Sequence, residues 1–362
     1  MGDRTPALDP LAEGAIEPWR EPVRGGFQDA SLLSMPGLEW LRHFLDGSTP
    51  RAPLHHLTGL RMVEVGAGSA AFEMPLSDWL RSPQGPVSVG ALSIPADAAL
   101  GCAVQTVLPA GVAMTTSELS LRLLAPAHAG QTVLARASVV HAGRTLALSE
   151  GTVTDANGEL LAHGSSLCVL VAPAGVPGGT AGGSAHGPGS GLDPWARPAQ
   201  GASLDQGVWG RMSGLEILEA IKARELPAPP IAHLIGLRID KVTSGATTFA
   251  MPASEWLCAP PRGRAQGGVV ALLAETAIGG AIQTTLSPGT ALAQIDLKVN
   301  YLRPLATDGR TACADGRVLH SGRRIAVASA EVRDADRRLI AVATGSAMLL
   351  PGRPASLADA PR

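Results

Sequence analysis

Gln266-Gly267-Gly268-Val269-Val270-Ala271-Leu272-Leu273-Ala274-Glu275-Thr276-Ala277-Ile278-Gly279 joins a glycine pair to an apolar run that holds a single carboxylate. The run extends over residues 267–286, close to the length that spans a bilayer, but Glu275 at its middle would be costly in lipid. It reads instead as a helix buried in a folded core, with no membrane span. Ser287-Pro288-Gly289 ends it, and strand-like runs follow at residues 293–302, 311–321, 324–333 and 339–350. Ahead of it lie an amphipathic stretch, residues 215–221, and a strand-like stretch, residues 238–252, broken by Gly245. One charge-poor helix followed by long antiparallel-type strands places the chain in the α+β class and implies a sheet curled around that helix.

The same order occurs once before. Met212, Gly214, Leu215, Glu216 and Leu218 repeat Met35, Gly37, Leu38, Glu39 and Leu41 at an offset of 177 residues. His233-Leu234 and Gly236-Leu237-Arg238 repeat His56-Leu57 and Gly59-Leu60-Arg61, and the offset becomes 178 by Gln283-Thr284 against Gln105-Thr106. A period this long is a whole small domain, not a solenoid unit. The upstream helical stretch is residues 96–108, and Pro95, tolerated only in a first turn, lets that helix begin near Ser93.

Two copies set the organisation: a loose segment at residues 1–34, a first domain at 35–171, a Gly/Pro/Ser-rich linker at 172–206, a second domain at 207–351, and a tail at 352–362. The 362 residues are 45% hydrophobic, enough for two cores, and a net charge of −2 leaves no basic footprint for nucleic acid. Residues 1–24 lack a charged-then-apolar leader pattern, so a cytoplasmic protein is expected. Cys102, Cys168, Cys258 and Cys313 have no C-x-x-C spacing, which indicates neither a disulfide framework nor a zinc site, and no cofactor is implied.

The glycine pair, the acid on the buried helix and the strand Asp296-Leu297-Lys298-Val299-Asn300-Tyr301-Leu302-Arg303-Pro304 resemble the hotdog-fold thioesterases of the phenylacetic-acid-pathway (PaaI-like) type. The signature of that family is a His or Asn, two glycines, then a Leu and an acid on the central helix. The resemblance covers both repeats. It implies tandem hotdog domains paired inside one chain, hydrolysis of an acyl-coenzyme A thioester, and active sites at the interface between the copies.

The chemistry of the residues agrees. Gly267 and Gly268 open a helix, where unpaired N–H groups favour a developing oxyanion and the missing side chains admit a carbonyl. Glu275, among Leu272, Leu273, Ile278 and Ile282, is a desolvated carboxylate able to activate water or to attack directly. Eight residues separate Gly267 from Glu275, about 12 Å along one helix, so the glycine loop of one copy must work with the carboxylate of the other. At an offset of 178, Asp97 corresponds to Glu275, and Ser88-Val89-Gly90 to Gln266-Gly267-Gly268. Two composite sites follow: Gln266, Gly267 and Gly268 with Asp97, and Ser88, Val89 and Gly90 with Glu275. They are unequal, because Val89 puts a branched side chain where a backbone should be open. Gln266 departs from the family's His or Asn but keeps a hydrogen-bonding amide.

Gly101 and Gly279, one turn after the acids, leave room for substrate or for close helix packing. Arg303, Arg323 and Arg324 are candidates for the phosphates of coenzyme A. No histidine lies on either buried helix, which argues against hydratase chemistry, and His56 and His233 read as structural. A non-catalytic acyl-coenzyme A binder and a structural double-hotdog scaffold fit the same residues. A homodimer of such chains, pairing through sheet edges, is also expected.

Overall fold

Ser120 pairs with Lys298, its own counterpart at an offset of 178, and the flanking pairs run symmetrically outward from Glu118–Asn300 to Arg122–Asp296. A register centred on one residue and its equivalent, with the flanking pairs exchanged symmetrically about them, is what a two-fold interface requires, so this antiparallel seam is a pseudo-two-fold axis built into one chain. The structure, a computed structural model, describes residues 16–27, 34–171, 191–353 and 355.

The first copy contributes α1 (Gly37–Leu45), α2 (Pro53–Thr58), β1 (Arg61–Gly66), β2 (Ser69–Pro75), α3 (Ser93–Gln105), β3 (Ala113–Leu123), β4 (Thr132–Ala142), β5 (Leu146–Asp155) and β6 (Leu160–Val171). The second contributes α4 (Gln206–Arg211), α5 (Gly214–Ala223), α6 (Pro230–Ile235), β7 (Arg238–Thr243), β8 (Ala246–Pro252), α7 (Gly267–Gln283), β9 (Thr290–Tyr301), β10 (Thr311–Ser321), β11 (Ile325–Arg333) and β12 (Leu339–Pro351). All strands join one antiparallel sheet, ordered β1-β2-β4-β5-β6-β3-β9-β12-β11-β10-β8-β7, with the seam between β3 and β9.

Each half of the sheet wraps one buried helix, α3 against β2, β4, β5 and β6, and α7 against β8, β10, β11 and β12. These are two tandem hotdog domains. The concave faces are lined by small residues, Ala135, Ala137 and Gly164 in one copy and Ala312, Ala314, Gly316 and Ala343 in the other. A Cβ on Gly316 would meet the Ala277 carbonyl of α7, so helix and sheet approach at backbone distance. That closeness fills the core with few aromatic residues, and it leaves α7 apolar on every side, as a helix covered all round must be.

Two elements that periodicity did not reveal, α2 and α6, are six-residue helices introduced by Pro53 and Pro230 and ended by Gly59 and Gly236 at positive φ. They carry His56 and His233, and their partners come from the arm preceding the other copy. Glu17 accepts at 2.8 Å from His233 of the second copy, and Asp193 at 2.9 Å from His56 of the first. The indoles of Trp256 and Trp79 likewise donate to the carbonyls of Glu21 and Arg197, each at 3.0 Å. The arms are exchanged between the copies and meet where Arg197 forks onto Glu21 at 2.6 and 2.8 Å.

Residues 16–27 and 191–206 therefore pack in place, with short 3-10 turns at Pro18–Arg20 and Pro194–Ala196, although composition alone marks them as loose segment and linker. Residues 172–190 of the expected linker lie outside the described residues. Arg197→Ala is expected to cost about 2 kcal/mol, the scale of a charge-assisted hydrogen bond, read as a lowered urea midpoint. Faster amide exchange in both arms should accompany it; exchange confined to one arm would mean that the arms are not joined.

The edge strands β1 and β7 are short, carry Arg61, Glu64, Arg238, Asp240 and Lys241, and have α1 and α5 packed against them. Such edges are poor templates for another strand, so the expected edge-to-edge route to a homodimer is not supported by the fold.

Candidate active site

Gln266 is the extended residue before α7, and its carbonyl accepts from Val269 and Val270 at 3.0 and 3.3 Å. The N–H groups of Gly267 and Gly268 are left over, as at any helix start. Gly268 donates to Oδ2 of Asp97, on the first copy's helix, at 3.1 Å. The approach depends on glycine: a Cβ on Gly268 would fall 2.7 Å from Ile94 Cα, and one on Gly267 would fall 3.1 Å from either Asp97 oxygen. Gln266 turns its side-chain amide to the Ile94 carbonyl at 2.8 Å, so it clamps the other copy's helix. Gln266 Oε1, the side-chain oxygen, and Asp97 Oδ1 are buried acceptors with no protein hydrogen-bond partner among the described residues. Ser93 Oγ, beside them, lies 2.5 Å from the Gly90 carbonyl and 2.6 Å from the Gly268 carbonyl, so its single proton can serve either loop across the axis.

The second centre repeats the plan with different parts. In the first copy a 3-10 turn, Val89–Leu92, precedes α3, because Pro95 has no N–H to donate back along an α-helix. Glu275 on α7 faces the Gly90 amide, and Ser88 Oγ lies 3.5 Å from its Oε2. Val89 is half-buried in the position of Gly267.

Both carboxylates are buried, Asp97 at 8% exposure and Glu275 at 6%. Burial pushes the Asp97 carboxyl up to about 6, against the pull of the Gly268 amide, the Thr116 hydroxyl and the Gly267 amide. Burial likewise pushes Glu275 up to about 7, opposed by the Gln294 side-chain amide, the Gly90 amide and Ser88. Each acid is thus poised to exchange a proton near neutral pH.

Sequence reasoning missed Thr116 and Gln294. They are equivalent residues, 178 apart, and each lies beside a β-bulge, where Ser117 in β3 and Ile295 in β9 are the extra residues. The bulge breaks the alternation of the strand and turns Thr116 and Gln294 inward onto the acids of their own copies. No residue-type signal marks such a bulge. Tyr301 was also missed: its hydroxyl donates to the Gly267 carbonyl at 2.8 Å, while Leu123 holds the matching place in the other copy.

Other expected residues are not brought together. A side chain at Gly279 would run into Gln294, and one at Gly101 would meet the Met114 methyl at 3.2 Å, so these glycines make room for a strand side chain of their own copy. Arg303 donates to the Leu339 carbonyl at 2.9 Å, whereas the Arg324 carbonyl accepts from Leu349 at 2.8 Å. The two arginines sit at opposite ends of β12, roughly 30 Å apart along a strand of ~3.3 Å per residue, so with Arg323 they cannot form one phosphate cluster.

Against known proteins, the thioesterase superfamily profile matches residues 84–162 and 263–341, once in each copy. A protein of Halobacterium salinarum named as an esterase is 33% identical over 126 residues, spanning 32% of this chain and 82% of that protein. Among solved structures, the TesB protein of Mycobacterium avium subsp. paratuberculosis is similar at a TM-score of 0.52 and 14% identity, covering 83% of this chain and 98% of that one. The acyl-CoA thioesterase II of Mycobacterium marinum is similar at a TM-score of 0.51 and 12% identity, covering 82% of this chain and 97% of that one. Those two likenesses speak for the tandem fold, while the profile matches and the halobacterial relative speak for descent: this chain belongs to the thioesterase superfamily.

Proposed function

We propose that the chain hydrolyses acyl-coenzyme A thioesters at the interdomain interface, with a helix-borne carboxylate as base and the glycine-pair amides as oxyanion donors. The observation that carries this reading is the Gly268 N–H of one copy aimed at the buried Asp97 carboxylate of the other. A thioester carbonyl placed beside Gly268 lies next to a water held by Asp97 and the Thr116 hydroxyl. As that water adds to the carbonyl carbon, its proton passes to Asp97 and negative charge appears on the carbonyl oxygen. The Gly268 amide then changes partner, from a carboxylate losing its charge to an oxyanion gaining one. Collapse expels the coenzyme A sulfur, which takes the proton from Asp97. Direct attack by the carboxylate would use the same contacts and pass through an acyl-enzyme anhydride. PaaI-like chemistry, with an aryl-acetyl substrate, is one form of this activity.

Because the base must be ionised, kcat/KM should rise with pH through the interval from about 6 to about 7 and level off above it. Thiol release from aryl, short-chain and long-chain acyl-coenzyme A between pH 5 and 9 measures this. A rate that falls across that interval would remove the carboxylate as base. Tight binding without release on every substrate would return the chain to the binding-module reading.

A further inference from the structure

Resting on that reading, we infer that the chain has one working centre, at Asp97, and that Gln294 and Val89 close the centre at Glu275. Three positions that are equivalent under the pseudo-two-fold differ, and each difference acts in the same direction. Where Gly267 opens the α7 loop without a side chain, Val89 places a branched, half-buried side chain in the first copy's loop. Where Thr116 supplies a short hydroxyl, Gln294 supplies a long amide that lies across Gly279 and donates to the Glu275 backbone carbonyl at 3.4 Å. Where Tyr301 steadies the Gly267 carbonyl, Leu123 offers no hydrogen bond.

Unused hydrogen-bonding capacity divides in the same way. At the Asp97 centre the unpartnered buried acceptors are Asp97 Oδ1 and Gln266 Oε1, both able to accept a hydrogen bond from water. At the Glu275 centre the unpartnered acceptor is Gln294 Oε1, on the side chain that lies across Gly279. The Glu275 centre therefore retains a buried acid and an amide, with a long side chain where the Asp97 centre has the Thr116 hydroxyl.

Thiol release and binding of a non-hydrolysable acyl-coenzyme A thioether, measured by calorimetry, separate the possibilities. Asp97→Asn should leave less than about 1% of wild-type turnover, where two equal centres would leave about half. The thioether should bind once per chain. In the Asp97→Asn background, adding Val89→Gly and Gln294→Thr should raise turnover at least about tenfold by opening the second centre, and a further Glu275→Gln should abolish that gain. Half-retained turnover in Asp97→Asn, two matched thioether sites per chain, or no gain in the folded triple variant overturns the inference. If wild type released no thiol from any substrate, the hydrolytic reading would fall while the stoichiometry still decided between one open centre and two.

Discussion

Asp97→Asn is expected to lower kcat by on the order of 10³-fold while making the protein more stable at pH 8. The two effects share a cause. Burial raises this carboxyl from 3.8 to about 6, so above pH 6 the folded protein carries a charge that water would solvate better. The unfolded chain ionises at the lower value, so the folded state holds the extra proton between the two. The cost is absent below about pH 4, grows through the window from 3.8 to 6, and is complete above it. At about 1.4 kcal/mol per unit, removing the charge returns about 3 kcal/mol at pH 8 and almost nothing at pH 4. Urea midpoints at the two pH values, with kcat from thiol release, test both halves. A variant that is inactive and less stable at pH 8 would mean that Asp97 supports the fold and not the reaction.

The second large effect is expected for Gly268→Ala, a single methyl group. Its Cβ would fall against the Ser93 carbonyl and 2.7 Å from Ile94 Cα, both backbone atoms of the opposite copy, so no side-chain rotation relieves the contact. The helices must separate, which should cost about 3 kcal/mol, as overpacking does. Turnover should fall by on the order of 10²-fold even where the protein stays folded, because a displacement of ~1 Å removes the amide from the reacting carbonyl. Urea titration together with kcat at a permissive temperature reads the two losses separately. Wild-type stability in this variant would show that the loop and the opposite helix do not meet as described.

Much of the fold was legible because its signals are local and occur twice. The helix that became α7 announces itself by a charge-free run with one acid, the β7–β8 turn by Gly245, and the β10–β11 turn by Ser321-Gly322. The need for a composite site was legible too, since Gly267 and Glu275 on one helix are too far apart to act on one carbonyl. The exchanged arms were not: composition marks residues 191–206 as a linker, and partners from distant parts of the chain, among them Trp79, His56 and Glu21, give Asp193 and Arg197 something to hold. The separation of Arg303 from Arg324 was not legible either, because position in the sequence says nothing about which end of a strand a residue occupies.

By itself the sequence determined that this protein is a tandem pair, that each copy wraps a small-residue helix, and that an acid and a glycine pair must meet across the interface. Periodicity, glycine and proline placement and a fixed repeat offset carry that information locally. The tertiary structure alone decided which strand residues face the acids. One extra residue in β3 and one in β9 reverse the strand alternation at Thr116 and Gln294, and a bulge is set by pairing with the neighbouring strand, not by the residues it contains. The inequality of the two centres is written in those few inward-turned side chains.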